Sequence, residues 1–254
     1  DQVVFCMNAT HALNIAIKNY DLRGKRVVIS GYEHNAVLRP LYAAGADIVV
    51  ADSALFDREG TVAAFDRCLT EDTTLAVVNH VSNVFGFVLP VREICDMCRA
   101  RAIPCIVDAS QSAGSLALDF EQLGATFVAM PGHKGLYGPQ GTGILLCGTC
   151  ARPLMEGGSG SSSRLPVMPE QLPDRLEAGT HNMPGIAGLY EGVRFVMEKG
   201  VRNIGRHERK LVELAAMELQ KIPGVVVYAD PSHANQSGVL SLNLEGAPSE
   251  WTAA

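Results

Sequence analysis

The sequence predicts an α/β fold with a mainly parallel sheet, followed by the start of a smaller α+β unit. Three observations carry this. Short, apolar, β-branched runs recur as far as residue 146, and helical patterns separate them. The runs are continuous rather than alternating, as in strands covered on both faces. After residue 184 the alternation gives way to two long helical patterns and then two strands, the mark of an α+β arrangement.

The elements follow in order. The chain opens as a segment leading into a helix near Ala9 and Thr10. Residues 26–30 (Arg-Val-Val-Ile-Ser) read as a strand and 35–43 as a helix. Strands at 47–50, 74–78 and 104–108 alternate with helices at 61–68 and 91–102. Two more strands fall at 127–130 and 143–146. The Gly/Ser-rich run at 157–163 is a flexible loop by composition. Beyond it, 185–199 and 201–221 are helical, and 225–228 and 239–243 are strands. The expected division is a large α/β domain over residues 1–184 and an interdomain helix with the beginning of a small domain over 185–254. The lack of an initiator Met, and a helix start at Pro248 with little behind it, lead to the expectation of a piece of a longer chain, incomplete in both domains.

Composition narrows the function classes. Of the 254 residues, 47% are hydrophobic and 19% charged, which is globular rather than disordered. The net charge is −6 and no basic stripe is present, so no nucleic-acid partner is expected. No apolar run is long enough for a membrane span, and the first residues lack the pattern of a signal peptide. Seven cysteines form no disulfide-like framework, which fits a reducing cytoplasm. Cys95-x-x-Cys98 and Cys147-x-x-Cys150 have zinc-site spacing. The first pair lies inside a helical pattern and the second ends a strand, so partly buried thiols are the preferred reading and no metal is expected.

In open α/β sheets, ligands sit at the carboxyl ends of the strands. The chemistry-bearing residues cluster there: Glu33-His34, His80 and Asn83, Asp108 and Gln111, and His133-Lys134, with Ala9-Thr10 just before the first helix. Five such places imply one shared site.

These segments resemble the class V aminotransferase family, the cysteine desulfurase and selenocysteine lyase type in particular. The likeness runs in the family's order through 33–38 (Glu-His-Asn-Ala-Val-Leu), 80–86 (His-Val-Ser-Asn-Val-Phe-Gly), 107–111 (Val-Asp-Ala-Ser-Gln), 131–139 (Pro-Gly-His-Lys-Gly-Leu-Tyr-Gly-Pro) and 177–180 (Glu-Ala-Gly-Thr). The resemblance implies fold type I and pyridoxal 5′-phosphate (PLP). It makes Lys134 the covalent anchor and a proton carrier. Asp108 would stabilise the protonated ring nitrogen, Gln111 would bond the ring hydroxyl oxygen, and His34 would lie on the ring. Ala9, Thr10 and His133 would hold the phosphate, with helix-start N–H groups supplying donors. Relatives often carry a hydroxyl residue two before that histidine, where this chain has Pro131. Thr180 would reach the phosphate of a neighbouring subunit, which implies a homodimer with shared sites. Asn83 would contact the cofactor or the substrate carboxylate. His80 would either assist proton transfer or support its loop.

The implied function is release of sulfur or selenium from L-cysteine or L-selenocysteine, leaving alanine, with transfer to an acceptor protein. The alternatives are another class V activity (transamination, epimerisation or kynureninase-like cleavage) and a non-catalytic PLP-fold piece. The mobile cysteine and the substrate-binding arginine that the family places in its distal region are not in this chain.

Overall fold

The structure, a computed structural model, describes residues 2–248. Strands β1 (Val3–Cys6), β2 (Arg26–Ser30), β3 (Asp47–Ala51), β4 (Thr73–Asn79), β5 (Cys105–Asp108), β6 (Phe127–Pro131) and β7 (Gly143–Cys147) form one sheet in the order β1-β7-β6-β5-β4-β2-β3. The pairs among β3, β2, β4, β5 and β6 are parallel; β7 runs antiparallel to both β6 and β1. The expected α/β class with a mainly parallel sheet is what the chain adopts.

Two cores cover the two faces. Helices α1 (Ala9–Lys18) and α2 (Asn35–Ala43) bury Leu13, Ile17, Val37 and Leu41 against Val27, Val77, Ile106 and Phe127. On the other face, α3 (Arg58–Cys68) and α4 (Val91–Ala100) bury Phe65, Ile94, Cys95 and Cys98 against Val28, Val78 and Val107. The alternation of Val77 and Val78 between the two cores is the period-2 side-chain pattern of a strand. The cysteine pairs with zinc spacing separate here, since Cys95 and Cys98 belong to one core and Cys147 to the other.

Two elements differ from the sequence expectation. Residues 3–6 are an edge strand rather than only a helix leader, with Val4 and Cys6 buried and Val3 exposed. A four-residue helix, α5 (Phe120–Leu123), is capped by Asp119 accepting from the N–H of Gln122. Helices α6 (Met183–Lys199) and α7 (Val201–Leu219) follow, then the antiparallel pair β8 (Val225–Tyr228) and β9 (Ser241–Leu244). Beyond Pro248, the expected helix start lies outside the described residues. Among the described residues, no helix is long and apolar enough to cross a membrane.

Candidate active site

The strand register brings the ends of three parallel strands level. Asn79, the last residue of β4, pairs with Asp108, the last of β5, and Asp108 pairs with Ala129 of β6. Because β1 pairs with β7 so that Cys6 faces Gly143, α1 begins at the same edge. A cavity of about 210 Å³ opens there. It brings together Ala9, Thr10, His34, Asn83, Asp108, Gln111, His133 and Lys134. Asn8, Asn79 and Ser110 line it as well, as does Pro131. The position where relatives carry a hydroxyl therefore faces the cavity without one.

The first turn of α1 is an anion site by construction. Asn8 caps it, its Oδ1 accepting from the N–H of His11 at 2.9 Å. Among the described residues, the N–H groups of Ala9 and Thr10 have no acceptor within the chain. Two free donors at the positive end of a ten-residue helix favour a phosphate or carboxylate.

Asp108 is 4% exposed. Ser110 donates to its Oδ1 from both the backbone N–H and the hydroxyl. Burial raises its pKa above the usual carboxylate range, against the lowering effects of the Ser110 bonds and of the Lys134 and His34 charges. A carboxylate buried in this way is completed by a cation. His34 caps α2, its Nδ1 accepting from the N–H of Ala36 at 3.0 Å. That bond puts the ring proton of the neutral form on Nε2.

Lys134 sits in the loop between β6 and β7, which closes on itself. The N–H of Gly132 bonds Thr142 O, that of Gly138 bonds Gly132 O, and that of Tyr137 bonds Lys134 O. A Cβ on Gly114, whose φ is +91°, would lie 1.8 Å from Gly135 O, and one on Gly192 of α6 would lie 2.3 Å from Leu136 O. Only glycine lets the turn after β5 and helix α6 approach this loop so closely.

Two expected site residues lie elsewhere. His80 follows Asn79 and precedes Val81, both of which line the cavity, so strand alternation turns it to the opposite side. It faces a separate cleft beside Arg58 and Glu93. Burial lowers its pKa to about 4, with the Arg58 charge adding to the effect. Its backbone accepts from the N–H of Leu89 and donates to Asp108 O. Of the two roles expected for it, this geometry fits support of the loop. Thr180 is exposed and does not line the cavity. Its neighbour His181 lies near His11 of α1, close enough for its positive charge to help lower the His11 pKa, which burial lowers first.

Glu33 is a site residue that the sequence marked only as part of a motif. Its Oε1 accepts from the Ser30 hydroxyl and, at 2.9 Å, from the N–H of Asn79. It thereby ties the start of α2 to the end of β4. Its Oε2 is buried with no partner among the described residues. Burial, aided by the Asp108 charge and opposed by the two hydrogen bonds, lifts its pKa to about 8. A carboxyl whose folded pKa lies above its unfolded value stabilises the fold fully below the unfolded value. That stability is lost as pH rises to the folded one. The window here runs from 4.5 to about 8, and the loss is at most about 5 kcal/mol. Glu33→Gln is expected to flatten this slope, with a lower melting temperature than the wild type at acid pH and a gap that narrows from pH 4.5 to about 8 and stays constant above that. Parallel melting-temperature curves across that range would remove Glu33 as the titrating group.

The Aminotransferase class-V family matches residues 1–253. A probable cysteine desulfurase of Methanothermobacter thermautotrophicus is 35% identical over 96% of this chain, which covers 63% of that protein. A cysteine desulfurase of Yersinia pseudotuberculosis is 30% identical over 96% of this chain and 63% of its own. The apo structure of a cysteine desulfurase from Thermococcus onnurineus superposes with a TM-score of 0.86 at 28% identity, over 99% of this chain and 66% of that one. The chain thus spans less than two thirds of the length of these relatives.

Proposed function

Because this chain belongs to the class-V aminotransferase family, we propose that it is the cofactor-binding part of a PLP-dependent cysteine desulfurase. The whole protein would take sulfur or selenium from L-cysteine or L-selenocysteine and leave alanine. One observation carries the reading: a single cavity joins a lysine and helix-start N–H groups that have no partner among the described residues with a buried carboxylate. The residues fit the cofactor on two counts. Ala9 and Thr10 offer two donors for a phosphate. Both hydrogen bonds to Asp108 fall on Oδ1, so Oδ2 is left for a cation.

When bound, PLP supplies an electron sink for charge developing beside the substrate amine. Lys134 would hold the cofactor covalently and would carry protons. Asp108 would stabilise a proton on the ring nitrogen. Ala9, Thr10 and His133 would hold the phosphate, and His34 would pack against the ring. Gln111 and Asn83 would bind the ring oxygen and the substrate carboxylate. Residues 1–184 form the large domain, and 185–254 the connecting helix and the start of the small one. Thr180, exposed next to His181, would reach a second copy's phosphate in a homodimer with shared sites. The seven free cysteines fit a cytoplasmic protein that passes its sulfur to an acceptor protein.

The test is an absorbance titration of the purified chain with PLP, followed by borohydride reduction, and product analysis on the whole protein with L-cysteine. A visible band fixed by reduction, with alanine and a thiol-bound sulfur that added dithiothreitol releases as sulfide, is the expected result. A band with a keto acid or epimerised amino acid as product would move the protein to a transaminase or epimerase, and alanine-type cleavage of a kynurenine-like substrate to the third alternative. No band in the folded chain would leave a non-catalytic piece.

A further inference from the structure

Asn83 reaches the cavity from the tip of a small hairpin, and the hairpin is held from the far end of the chain. Residues 81 and 88 pair across its base, and the N–H of Gly86 bonds Ser82 O. Each of the three carbonyls beyond Asn83 accepts a hydrogen bond from the segment leading into β9 or from the first residue of that strand. Ser241 Oγ donates to Val84 O, Gln236 Nε2 donates to Phe85 O at 2.9 Å, and the N–H of Ser237 donates to Gly86 O at 2.9 Å. The Phe85 ring packs on Tyr228 of β8 with centroids 5.7 Å apart.

Gln236 is the centre of this junction. It is 1% exposed. Its Nε2 also donates to Val239 O at 2.6 Å, and its Oε1 accepts from the N–H of Asp230 at 2.9 Å. One buried amide therefore uses both its donors and its acceptor to join the hairpin, the segment before β9 and the turn that follows β8. A Cβ on Gly86 would lie 2.4 Å from Val239 O and 2.8 Å from Gln236 Nε2, so the hairpin is pressed directly onto the amide. Among the described residues, Asn83's own side chain has no hydrogen bond in the chain. Its position depends on these backbone anchors.

We propose that Gln236 is a positioning residue that sets Asn83 at the cavity and makes the β8–β9 unit part of the site's specificity. The link to the substrate rests on the PLP-enzyme reading above. Removing the amide orphans Phe85 O, Val239 O and the N–H of Asp230 in a buried place, which favours opening of the hairpin.

The experiment pairs hydrogen–deuterium exchange with a double-mutant cycle. Exchange is read on residues 82–88 of the cofactor-free chain, so it judges the tether whether or not PLP binds. Gln236→Leu is expected to speed exchange there by about tenfold or more, with α1 and α4 unchanged. With PLP loaded, Gln236→Leu and Asn83→Ala are each expected to weaken L-alanine binding, read as a shift of the absorbance spectrum, by about tenfold. The double variant is expected to lose little more than either alone. Ser241→Ala, which removes one anchor without cutting a core residue, is expected to move both readouts the same way by less. Unchanged exchange in residues 82–88, or additive losses in the cycle, overturns the proposal. If the wild-type chain takes up no PLP while Gln236→Leu still frees the hairpin, the function fails and the tether stands.

Discussion

Lys134→Ala is expected to leave the fold intact and abolish covalent attachment of PLP. The side chain is exposed and makes no ion pair or hydrogen bond within the described residues. The loop that carries it is held by backbone bonds among Gly132, Lys134, Tyr137, Gly138 and Thr142, none of which needs the amine. Loss of a side chain with so few contacts changes stability by roughly 0.5 kcal/mol or less. The chemistry suffers far more. Under the proposed function the variant would lose both the anchor and the proton carrier, the latter a role worth about 10²- to 10⁴-fold by itself. Borohydride treatment followed by peptide mapping reads the first effect without any turnover. The label is expected on the 131–139 segment of the wild type and nowhere in the variant. A label of equal yield on another lysine would show that the site has been assigned to the wrong residue.

Much of this was legible in the sequence because parallel sheets write their strands as continuous apolar runs, and because ligands gather at strand ends. Residues 35–43 and 225–228 were placed to the residue, as α2 and β8. What escaped had specific causes. β1 is four residues long, and its partner β7 begins 137 residues beyond its end, so no local pattern announces the pairing. α5 is a single capped turn, shorter than any helical period can reveal. His80 is one position away from facing the cavity. The motif that contains it marks a strand end but says nothing about the parity of each residue. Thr180 has no place in the cavity of one copy. Gln236 is an ordinary polar residue in a loop-like stretch. Its weight comes from carbonyls about 150 residues earlier in the chain, a relation that exists only after folding.

Asp108→Asn is expected to push stability and cofactor affinity in opposite directions. In the chain without cofactor, burial holds the Asp108 carboxyl above its ordinary pKa. Folding therefore binds more protons than unfolding does, and this group's contribution to stability falls as pH rises from the unfolded value through the raised folded one. An amide carries no such penalty. Its oxygen can still accept from the N–H of Ser110 as Asp108 Oδ1 does at 2.9 Å. The variant's melting temperature without PLP is accordingly expected to gain on the wild type's as pH rises from the unfolded value through the raised folded one, and to keep that margin above it. Binding reverses the order. Under the proposed function a protonated ring nitrogen would supply the positive charge that the buried carboxylate lacks. Removing one partner of such a pair weakens association by about 100-fold. The wild type is then expected to gain more from saturating PLP than the variant, so the two melting curves cross between the cofactor-free and cofactor-loaded forms. Uncrossed curves with equal PLP affinities would mean that Asp108 meets no cation in the site, and the role of Lys134 would have to be argued without it.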